Sequence, residues 1–268
     1  GARALNGACG ARDKPYSLQS PHVIILRDDA FVRESNTSLP KSAFSGETVN
    51  TPHDTRAHVR ATYLSLCRGM ALIAFAFPIW LLFTSYGLGR EPAQTSISAF
   101  YYTAERDVLT GVLCAIGSFL FLFKGYTDRE DWILNYAGVA AVMVAMFETT
   151  AGGDCSGPGG FSVHGFAAVT FFLAIAVVAI FTWKTTLPKI KNDLLRDKLK
   201  RRYLSSAGIM IVTIGAATVG LLLPKEARTG LCELNAIFWL EALGVWGFSW
   251  FWFARTDEIA YMFDHGNA

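Results

Sequence analysis

The stretch that decides the fold is residues 69–89, which read GMALIAFAFPIWLLFTSYGLG. It contains no charged residue, and it matches the roughly 20 mostly apolar residues that a helix needs to cross a lipid core of about 30 Å. Pro78 lies inside this stretch and is expected to kink the helix. The stretch therefore predicts a membrane-spanning helix.

The rest of the chain repeats this pattern. Of its 268 residues, 52% are hydrophobic and 17% are charged, whereas an ordinary soluble domain carries about 25% charge. This composition excludes an ordinary soluble domain, a disordered chain and a fibrous repeat. We predict an all-α, six-span transmembrane helical bundle; a soluble bundle of buried helices is the alternative. The further spans are predicted at 108–123, 132–148, 164–183, 204–223 and 236–254.

The predicted organisation has three parts. Residues 1–65 form a polar N-terminal tail, 66–255 the six-helix transmembrane domain, and 256–268 a C-terminal tail. Glu258 falls in this tail, so Glu258→Gln is expected to alter neither stability nor ligand occupancy. The first tail mixes charged residues with Ser, Thr, Asn, Gly and Pro, so it cannot bury enough apolar surface to fold alone. We expect it to dock on a protein partner.

Lys and Arg are concentrated on one side of the predicted bundle. The loops 124–131 and 184–203 contain many of them, whereas the loop 149–163 contains none. Since cytoplasmic loops carry an excess of basic residues, we predict that both termini are cytoplasmic, in a bacterial inner (plasma) membrane. The net charge of +2 and the scattered basic residues do not predict a nucleic-acid partner.

The densest basic segment is 189–202. Its apolar residues Ile190, Leu194, Leu195 and Leu199 share roughly one helical face. The segment would either lie on the inner leaflet and bind anionic lipid head groups, or form a solvated connector that only sets topology. The lipid-contacting residues in the first case are Lys189, Lys191, Lys198, Lys200, Arg201 and Arg202.

Scattered polar residues are predicted to meet at the external side of the bundle. Ionisable residues in membrane spans are costly and mark functional sites. One interpretation is an outward-facing cavity for a lipid head group or another amphiphile. The other is structural, with buried charges pairing and hydroxyls capping helices. The candidates are Ser96, Ser98, Arg106, Asp107, Glu148, His164 and Glu241.

Two kinds of chemistry are open at this side. His164 with a carboxylate could act as a general base for a serine or water nucleophile. The chain has neither HxxxH nor HExxH, so neither a metal site nor a cofactor is predicted. Cys155 and Cys232 fall on external loops and are predicted to form a disulfide, with two free thiols as the alternative.

Several motifs resemble a known family. The stretches SISAFYYT (96–103), RDVLTGVLCAIGSFLF (106–121) and KGYTDRED (124–131), with RRY at 201–203 and FWLE at 238–241, resemble a family of uncharacterised bacterial multi-span inner-membrane proteins. The resemblance covers about residues 68–255. It implies a six-span membrane protein and no established activity.

A more distant likeness is to the seven-span ceramidase-like membrane hydrolases. Those proteins use a Ser, an Asp and three His around zinc. The likeness would place Ser96 or Ser98, Asp107 and His164 in those roles, but this chain lacks the HxxxH pair.

Three functions are therefore open. The first is a non-enzymatic subunit of a larger membrane assembly, with an outward-facing polar cavity that binds membrane lipids. The second is a lipid- or amphiphile-directed membrane hydrolase that uses the external polar residues. The third is a small proton-coupled transporter, with Glu148 and Glu241 as the proton carriers.

Overall fold

The computed structural model describes residues 52–89, 94–149 and 162–265. All regular secondary structure in these ranges is helical, which confirms the all-α prediction. A π-helical turn at Phe83–Gly87 and 3-10 turns at Ser98–Tyr102 and Leu187–Lys189 supplement the α-helices. The α-helices are α1 Pro52–Leu82, α2 Arg106–Leu122, α3 Asp128–Met146, α4 Val163–Thr185, α5 Asp193–Leu222, α6 Lys225–Glu233 and α7 Ala236–His265.

Local sequence explains where three of these helices begin. Thr127, Ser162 and Asn192 precede α3, α4 and α5, and each side chain accepts a hydrogen bond from the backbone N–H three residues further on, at 3.0–3.2 Å. These caps satisfy backbone donors that have no partner inside the helix. Polar residues between apolar segments thereby fix the register of the bundle.

Four segments are long and apolar enough to cross a membrane. They are Thr55–Gly87, Val163–Lys189, Asp193–Gly220 and Ala236–His265. Helices α2 and α3 coincide with two further predicted spans, but α2 has only 17 residues and α3 begins with the charged run 128–131. The described helices are thus compatible with a multi-pass membrane protein, while the count of six spans stays a prediction.

The six long helices pack in a closed order. Helix α1 lies against α7, followed by α5, α4, α3 and α2, and α2 contacts α1 again. The fully buried ring of Trp252 on α7 lies at the centre of an aromatic cluster with Phe119, Phe123, Phe248 and Phe251, at centroid distances of 4.8–6.3 Å. Since each aromatic side chain buries about 150–250 Å², this cluster joins α2 to α7.

Helix α1 starts earlier than the sequence predicted. It begins at Pro52, so the predicted tail boundary at residue 65 falls inside a helix. The first turns are attached to the bundle because the Tyr63 hydroxyl donates to the Lys124 carbonyl at 2.6 Å. Residues 1–51, which include most of the predicted tail, lie outside the described residues.

The C-terminal helix also extends beyond its predicted end. Helix α7 continues to His265, and Arg60 of α1 pairs with Asp264 at 2.9 Å. Glu258, which the sequence placed in a C-terminal tail, lies within α7, and its side chain is fully buried. Residues 266–268 lie outside the described part of the chain.

Helices α2 and α3 cross at a pair of glycines. A Cβ atom added to Gly117 would lie 2.8 Å from the Gly138 carbonyl oxygen, and one added to Gly138 would lie 2.6 Å from the Gly117 oxygen. Both distances are too short for a side chain, so the two backbones approach as closely as small residues allow. This contact fixes the α2–α3 hairpin.

We expect Gly138→Ala to destabilise the protein by about 1–3 kcal/mol, because the new methyl group would force α2 and α3 apart. Thermal unfolding in detergent, followed by circular dichroism, measures this change. Gly111→Ala is the matched control, since a Cβ at this exposed α2 position meets no atom within 4 Å. Equal unfolding temperatures for the two variants would contradict the close crossing.

Candidate functional site

The bundle has two polar ends. We call the end with the turns 123–127 and 186–192 the basic end, and the end with residues 94–105 the opposite end. The sequence candidates from Ser96 to Glu241 belong to the opposite end, since α2 and α7 start there and α3 ends there. The alternating direction of the helices thus brings residues from distant parts of the sequence to the same end of the bundle.

Glu241 on α7 organises the opposite end. Its Oε2 accepts hydrogen bonds from the backbone N–H groups of Ile97 at 2.5 Å and Ser98 at 3.4 Å, and its Oε1 accepts from the Ser98 hydroxyl at 3.3 Å. The hydroxyls of Ser96 and Ser98 lie 3.2 Å apart. We call Ser96, Ser98 and Glu241 the Glu241 cluster; its carboxylate stabilises the N-terminus of a 3-10 turn.

A second polar group surrounds two tyrosines. Arg106 donates to the Tyr101 hydroxyl at 2.7 Å, and its guanidinium lies 4.3 Å from the ring centroid. The neighbouring Tyr102 donates to the Thr149 carbonyl at 2.5 Å. Partial burial raises the pKa of Tyr102, and the Glu148 carboxylate hydrogen-bonded to it acts in the same direction. This group places an exposed cation beside aromatic rings.

The remaining candidates lie elsewhere on this end. His164 is buried at the start of α4, with its Nδ1 2.9 Å from the Phe147 carbonyl oxygen. Asp107 is exposed in the first turn of α2. The described contacts therefore join Ser96, Ser98 and Glu241 directly. Arg106 and His164 form hydrogen bonds with other residues, Tyr101 and Phe147. A single site shared by all seven candidates stays a prediction.

An apolar groove runs along the outer surface of the α2–α3 hairpin. It has a volume of about 440 Å³. Its walls are exposed large side chains, such as Leu122 at 75% and Met146 at 58%, and its floor is the glycine crossing. The lining residues are Gly117, Ser118, Phe121, Leu122, Gly138, Val139, Val142, Met143, Met146 and Phe147.

The basic segment is the start of a long helix. Residues 193–202 are the first turns of α5, with Leu199 buried and Leu194 86% exposed. Arg202 pairs with Asp257 at 2.6 Å and lies 4.9 Å from the Trp250 ring. The other predicted lipid contacts, Lys189, Lys191, Lys198, Lys200 and Arg201, are exposed.

The predicted disulfide lies outside the described atoms. Cys155 is not among the described residues, and of Cys232 only the backbone in α6 is described. Cys67 and Cys114 are free thiols, the first buried and the second half-buried. Within the described ranges, no three His, Cys, Asp or Glu side chains lie close enough together to hold a metal ion.

Sequence reasoning missed a deeply buried group of charged side chains at the basic end. Arg255 on α7 is 1% exposed and forms ion pairs with Glu130 on α3 and, at 3.1 Å, with Glu258. The Tyr203 hydroxyl on α5 donates to Glu258. We call Glu130, Tyr203, Arg255 and Glu258 the Arg255 cluster. Its sequence signal was the three-residue spacing of Arg255 and Glu258, which places both on one helical face.

Electrostatics explain why these side chains converge. A buried charge without a partner is strongly unfavourable, so each ionised group must find an opposite charge or a donor. The pKa of Glu130, which precedes the predicted span 132–148, is raised above its usual value. Burial is the main cause, and the nearby Arg255 guanidinium only partly offsets it. Glu130 also accepts a hydrogen bond from the Tyr126 backbone N–H at 3.0 Å.

No family model, curated protein or solved structure matches this chain. The resemblance of its motifs to a bacterial inner-membrane family therefore stays a prediction. Its function has to be argued from the geometry of the two ends and the groove.

We expect Glu241→Ala to lower the free energy of unfolding by about 2–3 kcal/mol, since hydrogen bonds to a charged group contribute about 1.5–3 kcal/mol each. The loss would also release the 94–102 segment, which hydrogen–deuterium exchange would detect as faster exchange of the Ile97 amide. Glu233→Ala, at an exposed position of α6, is the control. Unchanged exchange at Ile97 would show that Glu241 does not anchor the segment.

Proposed function

We propose that this chain is an integral membrane protein that binds a membrane lipid in the α2–α3 groove and acts as a non-enzymatic subunit of a larger membrane assembly. The groove carries the proposal, because it is an open apolar channel on a chain that has four other helices long and apolar enough to cross a bilayer. In this arrangement all six long helices cross the membrane, with both termini in the cytoplasm.

The groove suits an acyl chain. Apart from Ser118, its surface consists of glycine, methionine and branched or aromatic apolar side chains, so a hydrocarbon chain meets an almost entirely apolar wall. Methionine is flexible and polarisable, which lets such a surface adapt to chains of different shape. A lipid in this position buries apolar surface that a protein helix does not cover.

The head group would lie near the second polar group of the opposite end. Phe147 lines the groove, and two residues further on Thr149 accepts the Tyr102 hydrogen bond. Tyr101 follows, with its ring 5.5 Å from that of Tyr102, and Arg106 lies over it. Arginine binds phosphate oxygens through paired N–H donors, so an anionic phospholipid is the proposed ligand.

The geometry favours this function over the hydrolase alternative. The hydroxyls of Ser96 and Ser98 are engaged with each other and with Glu241. His164 directs its Nδ1 at a backbone carbonyl. In these contacts the side chains stabilise a turn and the start of a helix. The residues that a hydrolase would use for catalysis therefore have structural roles here.

We expect Ser118→Trp to lower the amount of phospholipid that copurifies in mild detergent to less than half, because the indole would fill the groove. Quantitative mass spectrometry of the extracted lipid measures the ratio of lipid to protein. Arg106→Gln should reduce anionic lipid selectively and leave neutral lipid unchanged.

Ala115→Trp is the matched control, since Ala115 is exposed on the same helix and does not line the groove. Equal lipid loss in Ala115→Trp and Ser118→Trp would contradict a specific groove site. Unchanged lipid in Ser118→Trp, with the protein folded, would contradict it as well.

The subunit role rests on the N-terminal residues, which are polar in composition. We expect that deleting residues 1–51 leaves the unfolding temperature of the helical bundle unchanged but releases the protein from its complex, because α1 begins only at Pro52. Size-exclusion chromatography of the mild-detergent extract measures the complex. An unchanged complex after deletion would exclude docking through this segment.

A further inference from the structure

The Arg255 cluster contains an imbalance of charge. Two carboxylates, Glu130 at 7% exposed and Glu258 at 0%, contact one guanidinium that is 1% exposed. With both carboxylates ionised, the cluster carries one net negative charge in a buried place. Buried groups commonly avoid such a charge by taking up a proton.

The surrounding side chains do not remove this charge. Most titratable groups that face the cluster are thiols or phenols, which are neutral when protonated. The exception is Asp131, which forms a salt bridge with Lys124 at 3.2 Å and accepts a hydrogen bond from the Gly125 N–H at 2.5 Å. Helix α4 contributes the neutral hydroxyl of Thr182, 3.4 Å from Arg255. The thiol and phenol groups are Tyr63 and Cys67 of α1, Tyr126 of the turn before α3 and Tyr203 of α5.

The two carboxyl groups differ in their hydrogen bonds. Glu130 accepts from Arg255 with Oε1 and from the Tyr126 N–H with Oε2, which favours its ionised form. Glu258 accepts from Tyr203 and Arg255 with Oε2 alone. Its Oε1 is buried and has no hydrogen-bond partner among the described residues.

We propose that the Arg255 cluster is a proton-binding site, in which the Glu130–Glu258 pair together holds one proton at neutral pH. Binding converts one carboxylate to a carboxylic acid and brings the cluster of Arg255, Glu130 and Glu258 to zero net charge. The site lies at the basic end, apart from the groove.

Infrared spectroscopy of the full chain in detergent tests this proposal. The carbonyl stretch of a protonated carboxylic acid is separate from carboxylate bands and shifts in D₂O. We expect the wild-type protein to show this band at neutral pH. Both Glu258→Gln and Glu130→Gln should lose it, since either change leaves Arg255 with a single carboxylate and removes the need for a proton.

Two controls assign the band. Glu105→Gln removes another buried carboxyl group, which accepts from Trp80 Nε1 at 3.0 Å, and Glu148→Gln removes an exposed one. Both should keep the band. A wild-type spectrum without the band would overturn the proposal, and this measurement needs no variant to fold.

A band that persists in both cluster variants would overturn the proposal too. Stability provides a second readout, because glutamine has nearly the shape and the charge of protonated glutamate. Glu258→Gln should keep the wild-type unfolding temperature within a few degrees, whereas Arg255→Met should lower it strongly, since it leaves the carboxyl pair without its cation. A large loss in Glu258→Gln, equal to that of Arg255→Met, would indicate a permanently ionised network.

Discussion

The buried guanidinium of Arg255 is the constraint on which the basic end of the bundle depends. It contacts Glu130 of α3, Glu258 of its own helix and Thr182 of α4, and Glu258 in turn contacts Tyr203 of α5. Removing Arg255 would cost about 3–5 kcal/mol, because the carboxyl pair would be left buried without its cation. Four helices are thus held in register by one charge that cannot reach water.

The helices themselves were predictable from the length of the apolar segments. Uncharged segments such as 69–89 leave little alternative to a helix, and α1, α2, α3, α4, α5 and α7 overlap the predicted spans. The polar extensions were not predictable. Residues 52–65 and 255–265 continue their helices because tertiary contacts such as Tyr63 with Lys124 stabilise them, and hydropathy does not record such contacts.

The candidate site was predictable only at the level of chain topology. Alternation of spans placed Ser98 and Glu241 at the same end, and the structure brings them into contact. The individual hydrogen-bond partners were not predictable, because several groups at similar depth in the bundle lie within reach of each side chain. His164, for example, forms its hydrogen bond with a backbone carbonyl and not with a carboxylate. Glu258 was assigned to a tail because a charged residue after a span normally indicates solvent.

Helices α2 and α3 form a helical hairpin whose two members depend on each other. Helix α2 has only 17 residues and α3 begins with the charged run 128–131, whereas the four other long helices are long and apolar enough to cross a membrane. Their backbones meet at Gly117 and Gly138, and a short turn joins them, so each helix offers the other a surface as soon as both exist. In the proposed six-span arrangement, α2 would therefore reach its stable place in the bilayer only together with α3. Integration of this region would then be a two-helix event, in contrast to the independent entry open to α1.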